Sequence, residues 1–198
     1  MLARDADRAE TDEDLMHAWQ AGDVAAFDAL YAKHRGGVFR YLLRHCGDRS
    51  TAEELHQDVW LKLIAARATY QPTARFATWL YTVARNRMVD HWRSRAPWRV
   101  QSFVQDDVDG DADLAQALVD VSPAADPLRA AASAEQGRRI VAALADLPGA
   151  QRDAFLLHVE GGLALTEIAA LTGAPAETVK SRLRYAYARL RKVLGDLQ

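Results

Sequence analysis

The chain has 198 residues, 49% of them hydrophobic, enough to bury one sizeable core or two small ones. No apolar run approaches the roughly 20 residues needed to span a bilayer, and the acidic, polar start MLARDADRAETDED does not fit a secretory signal peptide. The single cysteine, Cys46, excludes an intramolecular disulfide and fits a reducing cytoplasm, and a net charge of -2 does not by itself point to nucleic acid.

Thr11 and Asp14 form a capping-box pattern that predicts a short helix through about Ala21. A second helix is predicted from about Asp23 to His45, ended by Gly47. Ser50 with Glu53 reads as another capping box. The helix it opens should reach about Ala68, with Leu55, Val59, Leu63 and Ala66 along one face. Pro72 breaks the chain, and a further helix is predicted from about Ala74 to Ser94, before Pro97. Residues 96–134 hold Pro97, Pro123, Pro127 and the run DDVDGDAD, a composition that gains little from burial and predicts a linker. Four more helices are predicted at about 134–146, 150–160, 165–171 and 175–195. Pro148-Gly149, Gly161-Gly162 and the turn Thr172-Gly173-Ala174-Pro175 separate them. With no period-2 strand pattern, the predicted fold is all-α: two small helical domains joined by a flexible acidic linker.

Charge is unevenly distributed. Residues 1–66 carry a net of -4, 67–99 of +6, 100–134 of -6 and 135–198 of +2. Two basic blocks separated by an acidic one suggest two nucleic-acid contacts joined by a segment that avoids nucleic acid.

The C-terminal block has the layout of a helix-turn-helix. Ala169 is small where two helices cross, Gly173 permits the positive φ of the turn, and Val179 packs the second helix on the first. Pro175 suits a first helical turn. The second helix carries Lys180, Arg182, Arg184, Arg189, Arg191 and Lys192 against one acid, Glu177. Lys180, Ser181 and Arg184 fall on or near one face, available to phosphates and base edges.

In the other basic block, Phe76, Trp79, Leu80 and Val83 follow the spacing of a core stripe. Arg85, Asn86, Arg87, His91, Arg93 and Arg95 do not fit a core. Aromatic rings mixed with arginine suit single-stranded DNA, where bases stack on rings and guanidinium groups hold phosphates. Each stacked base contributes roughly 1–3 kcal/mol.

Enzyme signatures are absent: there is no P-loop, dinucleotide-binding turn, HExxH or GxSxG. The six histidines are scattered, and His45-Cys46 supplies at most half of a metal site. No cofactor is expected, and Cys46 reads as a buried small apolar residue.

The segments AEELHQDVWLKLI and FATWLYTVARNRMVDHWRS, then a linker, then LPGAQRDAFLLHVEGGLALTEIAALTG and ETVKSRLRYAYARLRK, resemble the sigma-70 family in its own order. More narrowly, they resemble its extracytoplasmic-function (ECF) subfamily, which keeps only the second and fourth sigma domains. The resemblance implies a short N-terminal extension (1–21), a sigma-2-like domain (22–95), a linker (96–134) and a sigma-4-like helix-turn-helix domain (135–198). It implies a non-enzymatic, cytoplasmic specificity subunit that binds the β′ and β subunits of core RNA polymerase and promoter DNA. An anti-sigma protein is a further implied partner, whereas membrane insertion and an obligate homo-oligomer are not.

Residue by residue, Glu53, Glu54, Gln57, Asp58, Trp60 and Leu61 match the stretch that docks on the β′ coiled coil, with Trp60 or Leu61 as apolar anchor. Phe76, Trp79, Arg85, Asn86 and Arg87, with Arg93 beyond them, match the stretch that opens and reads the −10 element. There a flipped base would sit near Asn86. Glu177, Thr178, Lys180, Ser181, Arg182 and Arg184 match the −35 recognition helix. The acidic linker, with Asp106, Asp107, Asp109, Asp111 and Asp113, would enter the polymerase cleft and partly imitate RNA.

Two departures stand out. Many relatives have Ser-Arg-Ala where this chain has Arg184-Tyr185-Ala186, so a base contact from arginine at position 185 does not transfer. The loop Thr69–Arg75 lacks the family's run of small and acidic residues, and its base contacts are not assigned. The alternative reading is a polymerase-independent helix-turn-helix regulator, which would bind a palindrome as a homodimer. The QDVWL helix and the arginine-aromatic block argue against it.

Overall fold

A computed structural model describes residues 10–95, 100 and 134–195. Among these residues the secondary structure is helical throughout: α1 (Asp12–Gln20), α2 (Val24–Cys46), α3 (Arg49–Ala66), α4 (Phe76–Arg95), α5 (Ala134–Ala145), α6 (Gly149–Val159), α7 (Leu165–Thr172) and α8 (Ala176–Gly195). The predicted linker falls almost entirely outside the described residues, and so does its acidic run.

Local chemistry accounts for most helix ends. Thr11 caps α1 in the predicted capping box: its hydroxyl accepts from the Asp14 N–H, and Asp14 accepts from the Thr11 N–H, each at 3.1 Å. The start of α3 differs from expectation. Asp48 is its cap, accepting from the Thr51 N–H at 2.8 Å, so Ser50 already lies within the helix. Glu53 is therefore not a capping-box partner; it pairs one turn back with Arg49 at 2.8 Å. The cap of α4 comes from another element. Glu13 of α1 accepts the Phe76 N–H at 2.6 Å, which sets the start two residues after the predicted Ala74.

The first four helices pack in sequence order, each on the next, and α2 also touches α4. Helix α1, in the stretch expected as an N-terminal extension with a short helix, packs on α2 and α4. Met16 and Trp19 are buried, and Asp12 receives Lys33 at 2.6 Å and His34 at 2.9 Å. Burial alone would raise the Asp12 pKa, but the hydrogen bonds and charges of His34 and Lys33 outweigh it and hold it at about 2. Leu55, Val59 and Leu63 supply the α3 side of the core, with Ala66 half-buried at its end. Each fully buried side chain of this size contributes about 1.5–3 kcal/mol.

In the C-terminal domain, α5, α6 and α7 all pack on α8. Val179, Leu183, Ala186 and Leu190 form the buried stripe of α8, spaced i, i+4, i+7, i+11. Gly173 ends α7 at φ 72°, and its N–H reaches the Ala169 carbonyl at 2.9 Å, as the turn requires. The two domains are closed on each other: α5 and α6 lie against α2, and α7 lies against α4.

Candidate nucleic-acid interface and the interdomain cleft

Helix α8 presents one polar face opposite its buried stripe. Glu177, Lys180, Ser181 and Arg184 follow i, i+3, i+4, i+7 spacing and share that face. Glu177 and Lys180 are largely exposed and lie 3.7 Å apart. Thr178 and Arg182, one turn apart, flank the face and are half-buried. The Arg184 guanidinium sits over the Tyr185 ring, 5.0 Å from its centroid, and donates to the Tyr185 hydroxyl at 3.3 Å. The residue that interrupts the family pattern thus holds its arginine neighbour in place.

Helix α3 divides its candidate residues between two directions. Glu53, Glu54, Gln57 and Leu61 are exposed, Leu61 by 54%. Trp60 is only 5% exposed. Its ring packs edge-on against Tyr31 at 4.7 Å, and its indole N–H donates to His56 Nε2 at 2.9 Å. It follows the inward-facing Val59, so it is a core residue, whereas Leu61 points outward. Sequence reasoning missed Ile64, 46% exposed and one turn beyond Leu61. Its signal was the i+3 spacing from an already chosen apolar residue. Asp58 is turned toward α4 and pairs with Arg87.

Helix α4 disperses its arginine run, because successive residues step about 100° around the axis. Asn86 is exposed, Arg87 turns to Asp58, and Arg85 turns to the other domain. Phe76 is fully buried, with Tyr70, Trp79 and His34 around it, so it offers no ring face to a base in this conformation. Trp79 is half-buried against Tyr70 at 5.2 Å. Arg93 is exposed, 3.3 Å from Asp90.

The cleft between the domains holds groups that the sequence did not single out. The Asp153 side chain, 2% exposed, accepts from Tyr41 Oη at 2.8 Å and Arg85 Nε at 2.9 Å. His45 Nε2 lies 3.4 Å from the same carboxylate. The Glu160 side chain, 3% exposed, pairs with Arg40 at 2.7 Å and with Arg44. The backbone carbonyl of Glu160 accepts from Tyr81 Oη at 2.7 Å. Further along, Glu167 accepts from Thr78 at 2.5 Å and Arg75 at 3.2 Å.

Burial would raise the pKa of Asp153, but the His45 hydrogen bond and the Arg85 charge outweigh it and hold the group below the ordinary carboxylate range. Burial pushes Tyr41 well up, and the neighbouring Asp153 charge adds to it. Burial lowers the pKa of His45 despite the opposing pull of Asp153. The cleft at neutral pH is therefore a carboxylate held by a guanidinium, a phenol and a neutral imidazole.

A helix-turn-helix with a polar face clear of its packing stripe, attached to a second helical domain with an arginine-rich helix, has the architecture of a DNA-binding protein. Residues 30–97 match Sigma-70 region 2 and residues 137–190 match Sigma-70, region 4. The RNA polymerase sigma factor CarQ of Myxococcus xanthus is 30% identical over 183 residues, covering 92% of this chain and 97% of that protein. The ECF RNA polymerase sigma factor SigL of Mycobacterium tuberculosis is 35% identical over 179 residues, covering 89% and 93%. Among solved structures, the sigma factor RpoE of Bartonella quintana, in complex with the anti-sigma factor NepR, superposes with a TM-score of 0.62. That likeness is at 23% identity over 87% of this chain and 98% of that one, and it bears on the fold alone. The chain belongs to the sigma-70 family, as an ECF RNA polymerase sigma factor.

Proposed function

We propose that the chain acts as a specificity subunit in which three surfaces divide the work. The α3 stripe of Glu54, Gln57, Leu61 and Ile64 docks on the β′ coiled coil of core polymerase, with Leu61 and Ile64 as apolar anchors. The α8 face of Glu177, Lys180, Ser181 and Arg184 reads the −35 element as duplex, and Thr178 and Arg182 flank it toward the phosphates. Helix α4 serves the −10 element through Asn86 and Arg93, joined by Arg85 once the domains part. The sigma-2-like unit is residues 22–95 together with α1, and the sigma-4-like unit is 135–198.

One observation carries this reading. The face of α8 that holds the recognition residues is clear of the packing stripe, and the same chain exposes apolar residues on α3 that its own core does not use. A repressor needs only the first feature, whereas a polymerase subunit needs both. The phosphodiester chemistry stays with the polymerase, so this subunit has no catalytic role of its own. Among the described residues no helix is long and apolar enough to cross a membrane. An anti-sigma protein is a fitting partner, since a structural neighbour is held by one.

The test is transcription in vitro with bacterial core polymerase and a promoter library carrying separated −35 and −10 elements. Start-site-specific transcripts that depend on the chain are expected. Tight homodimeric binding to a palindrome without polymerase would favour the regulator instead.

A further inference from the structure

Helix α1 grips the α3–α4 connection at both of its ends. Glu13 and Gln20 are seven residues apart, two turns and roughly 10 Å along one face. At one end the Glu13 carboxylate accepts the Phe76 N–H at 2.6 Å and caps the start of α4. At the other the Gln20 side-chain amide donates to the Arg67 carbonyl at 2.8 Å and to the Tyr70 carbonyl at 3.0 Å. Both carbonyls lie past Ala66, the last residue of α3, so the helix itself supplies no N–H to them. The amide nitrogen has two hydrogens, and the loop takes both. His17 Nδ1 lies 3.2 Å from Gln20 Oε1; as an N–H it donates there and keeps the amide nitrogen turned to the loop. Arg67 returns the contact. Its guanidinium lies over the Trp19 ring, 5.4 Å from the centroid, and donates to the Gln20 backbone carbonyl at 3.4 Å.

Between these two anchors run residues 71–75, exposed throughout. Their place relative to α4 matters. Trp79, Asn86 and Arg93 recur every seven residues and form one row along that helix. The 71–75 segment leads into the N-terminal end of the row. Tyr70, whose carbonyl Gln20 holds, is buried, and its ring packs edge-on against Trp79 at 5.2 Å. A shift of the Tyr70 backbone therefore reaches the Trp79 ring directly. An exposed loop with both ends tied offers its polar groups to a base in one arrangement. With one end loose it offers many, and each contact then costs more ordering.

We propose that Gln20 is a positioning residue for base selection at the −10 element. By tying the Arg67 and Tyr70 carbonyls to α1, it fixes the 71–75 loop and the Trp79 ring against the opened strand, while Glu13 holds the other end of the loop. Gln20 itself touches no base; it sets preference through the geometry of groups that do. This rests on the sigma-factor reading for its DNA.

The experiment uses holoenzyme, the full chain with bacterial core polymerase, on a promoter library with a randomised −10 element behind a fixed −35. A barcode in each transcript reports its −10 sequence, and a second library randomises the −35 element instead. Gln20→Met keeps the length of the side chain and removes both donors. Gln20→Lys keeps a donor able to reach the two carbonyls. Gln20→Met is expected to cut discrimination at the most selective −10 position by about tenfold. Its −35 preference and its co-migration with core polymerase are expected to match the parent. Gln20→Lys is expected to recover the parent discrimination. A role confined to stability would lower output evenly across the library and leave base preference as it was. Parent-like −10 preference in Gln20→Met, an equal loss at every −10 position, or Gln20→Lys behaving as Gln20→Met overturns the proposal. Should circular dichroism show that Gln20→Met has lost helix, Gln20→Lys against Gln20→Glu decides, since both are charged and only the first donates. Equal −10 profiles in that pair overturn the proposal. No start-site-specific transcript from the parent overturns the sigma-factor reading and the proposal with it, whereas specific parent transcripts with unaltered variant profiles overturn the proposal alone.

Discussion

Arg85 Nε lies 2.9 Å from the Asp153 carboxylate, across 68 residues of sequence and from one helical domain to the other. The pair is almost wholly enclosed, and Tyr41 donates to the carboxylate from the side. A guanidinium expected at DNA is thereby committed to the protein itself in the closed state.

Closure should be visible in the unfolding transition. Arg85→Ala leaves the Asp153 charge buried with Tyr41 and His45 only, a change that typically costs about 3–5 kcal/mol when no relaxation is possible. Here the domains can part instead. The parent chain is expected to unfold in urea as one transition by fluorescence and circular dichroism. The variant is expected to show two, the C-terminal domain melting separately. A single transition with an unchanged midpoint would show that the pair contributes nothing to domain coupling.

Gly37→Ala and Gly36→Ala make a matched test. The Cβ at 37 meets Tyr81 Oη at 2.7 Å and backbone at 3.0 Å, neither of which yields easily. The Cβ at 36 meets only the end of the Arg40 side chain at 3.2 Å, which can swing aside. Scattering in solution should give a larger radius of gyration for Gly37→Ala and none for Gly36→Ala. Equal radii would mean that close approach at 37 does not govern closure.

Acidification should open the cleft in two stages. His45 faces Tyr41 on α2, Trp92 and Arg85 on α4, and Asp153 and Arg152 on α6. Burial lowers its pKa, so its exposed form takes up a proton first. Its contribution to closure is full above about pH 6.5 and declines as the pH falls below that value. Asp153 has a folded pKa below the ordinary one, because His45 and Arg85 outweigh the raising effect of burial. Its contribution is present above about pH 3.9 and is lost as the pH drops further. Energy transfer between fluorophores at Ser50→Cys and Ala170→Cys, in a Cys46→Ala background, should fall in that order. His45→Gln should flatten the upper stage alone; an unaltered profile would assign the upper stage to another group.

On α3, neighbouring positions should behave oppositely. Leu61→Asp is expected to leave the melting temperature nearly unchanged and to abolish co-migration with core polymerase on gel filtration. Trp60→Ala should cost about 3–5 kcal/mol of stability, because the ring is core. If Leu61→Asp still co-migrates, the α3 stripe is not the docking surface.

Within α8, Lys180→Ala should weaken −35 duplex binding evenly across sequences and reduce the salt slope by about 1. Arg184→Ala should instead cost about 1–3 kcal/mol at particular bases and relax preference there. Tyr185→Phe keeps the ring beneath Arg184 and should retain most of that preference, whereas Tyr185→Ala should not. Binding competition over a randomised −35 library measures all four.

The helices and the helix-turn-helix were legible because their signals are local. A capping box, a buried stripe at i, i+4, i+7 and a glycine at a turn each act within a few residues, as Thr11, Val179 and Gly173 illustrate. The Ser50–Glu53 pattern misled because a stronger acceptor, Asp48, stood two residues earlier. Trp60 and Leu61 were indistinguishable by type, and only the direction of each side chain separated core from surface.

The sequence alone determined the all-helical architecture, the basic recognition helix and the family to which they belong. Those properties follow from residue order at short range and from the spacing of motifs along the chain. Only the tertiary structure decided which charges meet: Arg85 with Asp153 across 68 positions, and Arg40 with Glu160 across 120. Periodicity gives the face on which a charge sits, but not the distant face that packs against it. Desolvation then turns that encounter into a buried pair, and with it the availability of an arginine to DNA.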